Sequence, residues 1–104
     1  MLLSPDYASP GAIETFTPRG RLLWRYAPSG RAALNHPSLA MPLPNGDILA
    51  NDDRNERVIV IDLRTNQIAW QYGHTHVAGR GPGYLANPDG LDLAPPNNLT
   101  ARFR

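Results

Sequence analysis

The sequence predicts an all-β fold, and three observations carry that prediction. Eleven prolines and nine glycines divide the 104 residues into short apolar runs, the punctuation of a strand-and-turn protein. No stretch sustains the period of an amphipathic helix. The chain also resembles itself: Trp24-Arg25-Tyr26 is answered by Trp70-Gln71-Tyr72, and His36-Pro37 by Asn87-Pro88. Self-similarity at roughly 40–50 residues, in strand-like units, is the pattern of β-propeller blades. Each such blade is a four-stranded antiparallel sheet. The predicted architecture is therefore a single segment of about two blades, incomplete as a single chain.

Residues 1–26 read as a partial blade, with strands at 1–4, 12–16 and 21–26 matching the second, third and fourth strands of the next unit. A single helical turn is expected at 31–35. Residues 36–72 read as a full blade. Its first strand is 38–43, followed by Pro44-Asn45-Gly46-Asp47, a tight hairpin favoured by positive φ at Asn-Gly. A short second strand at 48–51 leads into the polar loop 52–56. The run 57–62 is β-branched through its middle and is the strongest strand signal in the chain. Asp62 is expected to close the following turn by an Asx-type bond. In the fourth strand, 68–72, Ile68, Trp70 and Tyr72 alternate with Ala69 and Gln71. Residues 87–104 read as the start of another blade, with a strand at 89–94, a turn at 95–98 and a second strand at 99–103.

The stretch from His36-Pro37 through Asn45-Gly46-Asp47, Ala50-Asn51-Asp52, Asn55-Glu56-Arg57 and Asp62 resembles an NHL repeat. The Trp-x-Tyr that closes each unit is also similar to pyrroloquinoline-quinone-like propellers. The resemblance implies a propeller fold. NHL-type propellers include lyases, peptide-processing enzymes, and protein- or RNA-binding modules, so the likeness leaves the activity open.

Composition narrows the classes. A net charge of +1, with the arginines scattered, gives no electrostatic case for nucleic acid. No apolar run approaches the ~18 residues of a membrane span. The opening residues lack the basic and long apolar regions of a signal peptide, and the compartment stays open. Without cysteine there are no disulfides, thiolate nucleophiles or cysteine metal sites.

A closed propeller has about four to eight blades. Two blades leave apolar faces and strand edges to be covered, by the rest of a longer propeller or by other copies of the chain. In the second case a terminal strand of one copy completes the opening blade of the next, and three or four copies close a ring.

The resemblance places three connections on one open face: 27–35, 51–56 and 73–86. His36, Asp52, Asp53, Arg54 and Arg80 are the candidate ligand-binding residues of that face. The structural alternative for the acidic pair is bonding to loop amides and to Arg54 or Arg57. His74 and His76 stand two apart on a segment expected to be extended, which would point both to one side. With His36 and Asp52 they could hold a divalent metal, although the sequence requires no cofactor. The glycines of 79–83 lack the lysine and following helix of a phosphate loop. Trp24 and Trp70 are expected to pack between blades rather than against a planar cofactor. The leading expectation is a binding or scaffold module with a small ligand or peptide at this face. The alternative is a metal-assisted lyase or hydrolase.

Overall fold

A computed structural model describes residues 2–88 and places them in two antiparallel sheets. The first has the order β1 (Leu2–Asp6), β2 (Ala12–Phe16), β3 (Leu22–Tyr26). The second has the order β4 (Pro37–Pro42), β5 (Ile48–Asp52), β6 (Arg57–Asp62), β7 (Gln67–Gly73). The only helical elements among the described residues are two 3-10 turns, Gly30–Ala32 and Asp53–Asn55. The first overlaps the turn expected at 31–35, starting one residue earlier and ending at Ala32. No helix of the described residues is long and apolar enough to cross a membrane. The strands and turn expected within 89–104 lie outside the described residues.

The turns follow their residues. Asn45 does not take the positive φ that a two-residue Asn-Gly hairpin needs; of the pair, only Gly46 does, at 93°. Pro44 instead sits second in a turn in which Gly46 N–H donates to the Leu43 carbonyl, and Leu43 N–H donates to Asp47. The Asn45 side chain then accepts from Asp47 N–H at 3.0 Å. Thr17-Pro18-Arg19-Gly20 makes the same turn, with Gly20 N–H donating to Thr17. Asp62 closes the β6–β7 turn as expected, its Oδ1 accepting from Arg64 N–H at 2.8 Å. Gly73 must be glycine, because a Cβ there would collide with the Glu56 carbonyl.

Strand pairing decides which side chains share a face. In the second sheet Ala40, Ala50 and Ile59 form one row, and Ile48, Ile61 and Ile68 the next. This inner face packs on the first sheet, where the rows are Leu3–Thr15–Trp24 and Pro5–Ile13–Tyr26. Ile13, Ile48, Ile59 and Ile61 are wholly buried in the core between the sheets. Each such side chain stabilises the fold by roughly 1.5–3 kcal/mol relative to exposure. The Trp24 indole N–H crosses to the Asn66 side-chain oxygen at 2.7 Å, tying the sheets together at the rim of the core.

The second sheet has another face, with rows Met41–Leu49–Val60–Trp70 and Leu39–Asn51–Val58–Tyr72. The rows of the two sheets correspond. Thr15 pairs with Trp24 and Ile13 with Tyr26, as Val60 pairs with Trp70 and Val58 with Tyr72. Both pairings carry an irregularity at the same place, after Thr15 and after Val60. The Trp–Tyr pairs stack alike, with centroids 6.2 Å apart at Trp24–Tyr26 and 6.3 Å at Trp70–Tyr72. Their surroundings differ. Trp24 packs on the core, whereas Trp70 is 51% exposed. The packing expected of Trp70 is therefore not made within the described residues, because no strand among them crosses that face.

Candidate functional site

The three connections do converge on one end of the sheets, held there by main-chain bonds. Arg54 N–H donates to the Asn35 carbonyl at 3.0 Å, and His76 N–H to the Asn55 carbonyl at 2.9 Å. His36 N–H donates to the Ala8 carbonyl at 2.8 Å, and Asn87 N–H to a Glu56 carboxylate oxygen. His36 and Asn87 both precede a proline and both take positive φ, at 57° and 47°. Glu56, which ends the Asp53–Asn55 turn, is left-handed at 60°.

Asp52 lies beneath this surface rather than on it. It ends β5, is wholly buried, and its two oxygens are engaged. Oδ1 accepts from Asn35 N–H at 2.7 Å. Oδ2 accepts from the Asn55 amide at 2.7 Å and from Arg57 Nε at 2.8 Å. Arg57 is its cross-strand neighbour and nearly as buried; its remaining N–H groups reach Gln71, Thr75 and the Ala32 carbonyl. Asn55 also donates to the Ala33 carbonyl at 2.7 Å. A buried carboxylate is tolerable only when paired and hydrogen-bonded, and Asp52 meets both conditions. Its place is structural: it sews connections 27–35 and 53–56 onto the sheet.

Asp53 is also buried and accepts from the Ser38 hydroxyl at 2.9 Å. Asn51 continues that chain of bonds, donating to Ser38 Oγ at 3.0 Å and to the Pro88 carbonyl at 3.1 Å. Beneath the same end, burial raises the pKa of the Tyr26 hydroxyl; the nearby Arg57 opposes that shift.

The surface itself presents cations. Arg31, Arg54 and Arg80 are exposed on the three connections. His36 is half-buried, its ring edge-on to Tyr7 at 4.7 Å. His36 Nδ1 lies 2.6 Å from the Asn35 amide oxygen, a contact that favours the tautomer protonated at Nδ1. Of the acids on the three connections Glu56 is the one not buried, and Asn87 N–H occupies one of its oxygens; Asp6, just before Tyr7 and Ala8, is also exposed.

The histidine pair does not form the expected ligand geometry. Residues 74–77 make a tight turn, closed by Val77 N–H donating to the His74 carbonyl, and His76 takes a φ of 67°. An i, i+2 pair shares a side only on extended backbone. His74 stacks on Tyr84 with ring centroids 4.0 Å apart and directs Nδ1 at the Gly83 carbonyl at 3.0 Å. Tyr72 OH accepts from Gly83 N–H at 3.1 Å, so this connection folds back on β7. Among the described residues no three His, Asp or Glu side chains gather as a metal-holding group. With Asp52 turned inward and both of its oxygens engaged, the donor set does not fit a metal.

Two surface depressions are present, the first at the β2–β3 turn and the second where connection 27–35 leaves β3. One is lined by Thr17, Pro18, Arg19 and Arg21, the other by Arg25, Tyr26, Ala27, Pro28 and Asn66. Neither includes a candidate site residue. Sequence reasoning missed Asn35 and Ser38, which order the surface from below; a small polar residue either side of His36-Pro37 gives no signal of its own. The chain matches no protein-family model, no curated protein and no solved structure.

Proposed function

We propose that this chain is a segment of an NHL-like β-propeller that acts as a binding module, and that its ligand is an anion presented by a small molecule or a peptide. The observation that carries the reading is the separation of charge across the converged connections. Their aspartates, Asp52 and Asp53, are buried and engaged, whereas Arg31, Arg54 and Arg80 are exposed on the same three connections. Arginine forks suit carboxylate and phosphate oxygens, and a rigid scaffold beneath the loops lowers the ordering cost of binding. The matched strand registers and Trp–Tyr stacks of the two sheets support the propeller half of the reading.

The test is a calorimetric titration of the full chain with two peptides of equal length, one rich in glutamate and one rich in lysine. Saturable binding of the acidic peptide alone, weakened at least fivefold by Arg54→Ala and by high salt, is the expected result. Equal response to both peptides, or indifference to Arg54→Ala, would overturn the anion-binding reading.

A further inference from the structure

The outer face of the second sheet is met at one end by Gly83, at the Tyr72 hydroxyl, and by the Pro88 carbonyl, at the buried Asn51, and is open elsewhere among the described residues. Its exposed apolar residues include Leu39, Trp70 and Tyr72, set beside the half-buried Met41, Val58 and Val60. A contiguous apolar face of this kind marks an interface. The molecule itself indicates what fits there. The corresponding rows of the first sheet, Leu3–Thr15–Trp24 and Pro5–Ile13–Tyr26, are covered by the opposite face of a neighbouring sheet, and the Trp24 indole finds Asn66 in that neighbour's β6–β7 turn. Continuing the same interface from the Trp70 row requires the opposite face of another three- or four-stranded unit.

We infer that the outer face of β4–β7 docks the outer face of β1–β3 from a second copy of this chain, head to tail. That partner face carries rows Leu2–Phe16–Leu22 and Ser4–Glu14–Arg25. Leu2, Leu22 and Leu23 are about half exposed on it. Glu14 and Arg25 neutralise each other there at 3.1 Å, and the exposed Asp6 stands one row further on, at the end of β1. The contact is heterologous, with different patches on the two sides, so successive copies propagate and close into a ring when the rotation allows. One detail differs from the internal interface. Gly20 stands in the β2–β3 turn where Asn66 stands in the β6–β7 turn, so Trp70 lacks the partner Trp24 has. Both positions take positive φ, 89° at Gly20 and 56° at Asn66, and a side chain at Gly20 meets open space. Asparagine tolerates that backbone region better than most residues.

The inference rests on the propeller reading above, and its test separates the two. Sedimentation and light scattering of the full chain, from low micromolar to near-millimolar concentration, should show mass rising to at least three copies. Trp70→Glu should hold the chain to one copy with an unchanged circular dichroism spectrum. Gly20→Asn should lower the concentration at half-assembly by about fivefold, the effect of one added hydrogen bond. A single-copy mass throughout, or assembly untouched by Trp70→Glu, overturns the docking inference. If Trp24→Ala also leaves thermal stability unchanged, the face-to-face arrangement inside the chain fails too, and the propeller reading with it.

Discussion

Arg57 Nε lies 2.8 Å from Asp52 Oδ2 across the β5–β6 ladder, with the Arg57 side chain 4% exposed and that of Asp52 fully closed to solvent. The pair is held by strand register, and each member satisfies a charge the other could not leave unpaired. Arg57→Ala therefore strands a carboxylate in the interior and should cost roughly 3–5 kcal/mol in urea unfolding. Asp52→Ala should cost a similar amount. The double variant should fall well short of the sum, since both single changes break one network. Additive losses would show that the pair is not the shared element.

The Trp24–Asn66 bond between the sheets makes a smaller, cleaner cycle. Trp24→Phe and Asn66→Ala should each cost about 1 kcal/mol, and together little more than either alone. Trp24→Phe retaining full stability at equal concentration would place the indole N–H in solvent.

Trp24 and Trp70 share a local sequence and a strand position but not a setting, so their truncations should differ. At concentrations where the chain is a single copy, Trp24→Ala should lose roughly 2–4 kcal/mol, because the ring packs on the core. Trp70→Ala should stay within about 1 kcal/mol, as half of the residue already faces water. Comparable melting shifts for the two would contradict the arrangement of the faces.

Asp62 predicts a pH effect of definite sign. Its carboxyl pKa is lowered chiefly by the Arg64 backbone N–H, and further by the Arg64 side chain. A folded-state pKa below the unfolded one contributes stability above the usual carboxylate range and loses it as pH falls through the folded value. Asp62→Asn keeps the turn-closing oxygen but not the charge. The melting temperature of the wild type should exceed that of the variant at neutral pH, and the gap should close in acid below about pH 4. A constant gap across that range would assign the effect to something other than this carboxylate.

The sequence disclosed the strands more readily than their environments. β2 and β6 occupy the residues expected of them, because a β-branched or apolar run bounded by turn residues needs little tertiary help to be recognised. Burial is another matter, since it is decided by what lies across the sheet. Asp52-Asp53-Arg54 reads as a polar loop whose structural alternative is bonding to loop amides and Arg57; that alternative forms at Asp52, which completes β5 and turns inward through strand register. His74-Thr75-His76 reads as extended, but the turn closed between His74 and Val77 separates the rings. The charge pattern of the converged connections follows from these two facts, which is why the carboxylates expected at the surface are found beneath it.

Two like-built faces stand in unlike settings: the Trp24 face is covered within the chain, and the Trp70 face is the one inferred to take a second copy. Acrylamide quenching of the single-tryptophan variants Trp70→Phe and Trp24→Phe across a dilution series tests it most directly. Trp24, read in the first variant, should stay shielded at every concentration. Trp70, read in the second, should become more accessible as the chain is diluted. A Trp24 as accessible as Trp70 at the lowest concentration would mean that the Trp24 face is not covered within the chain.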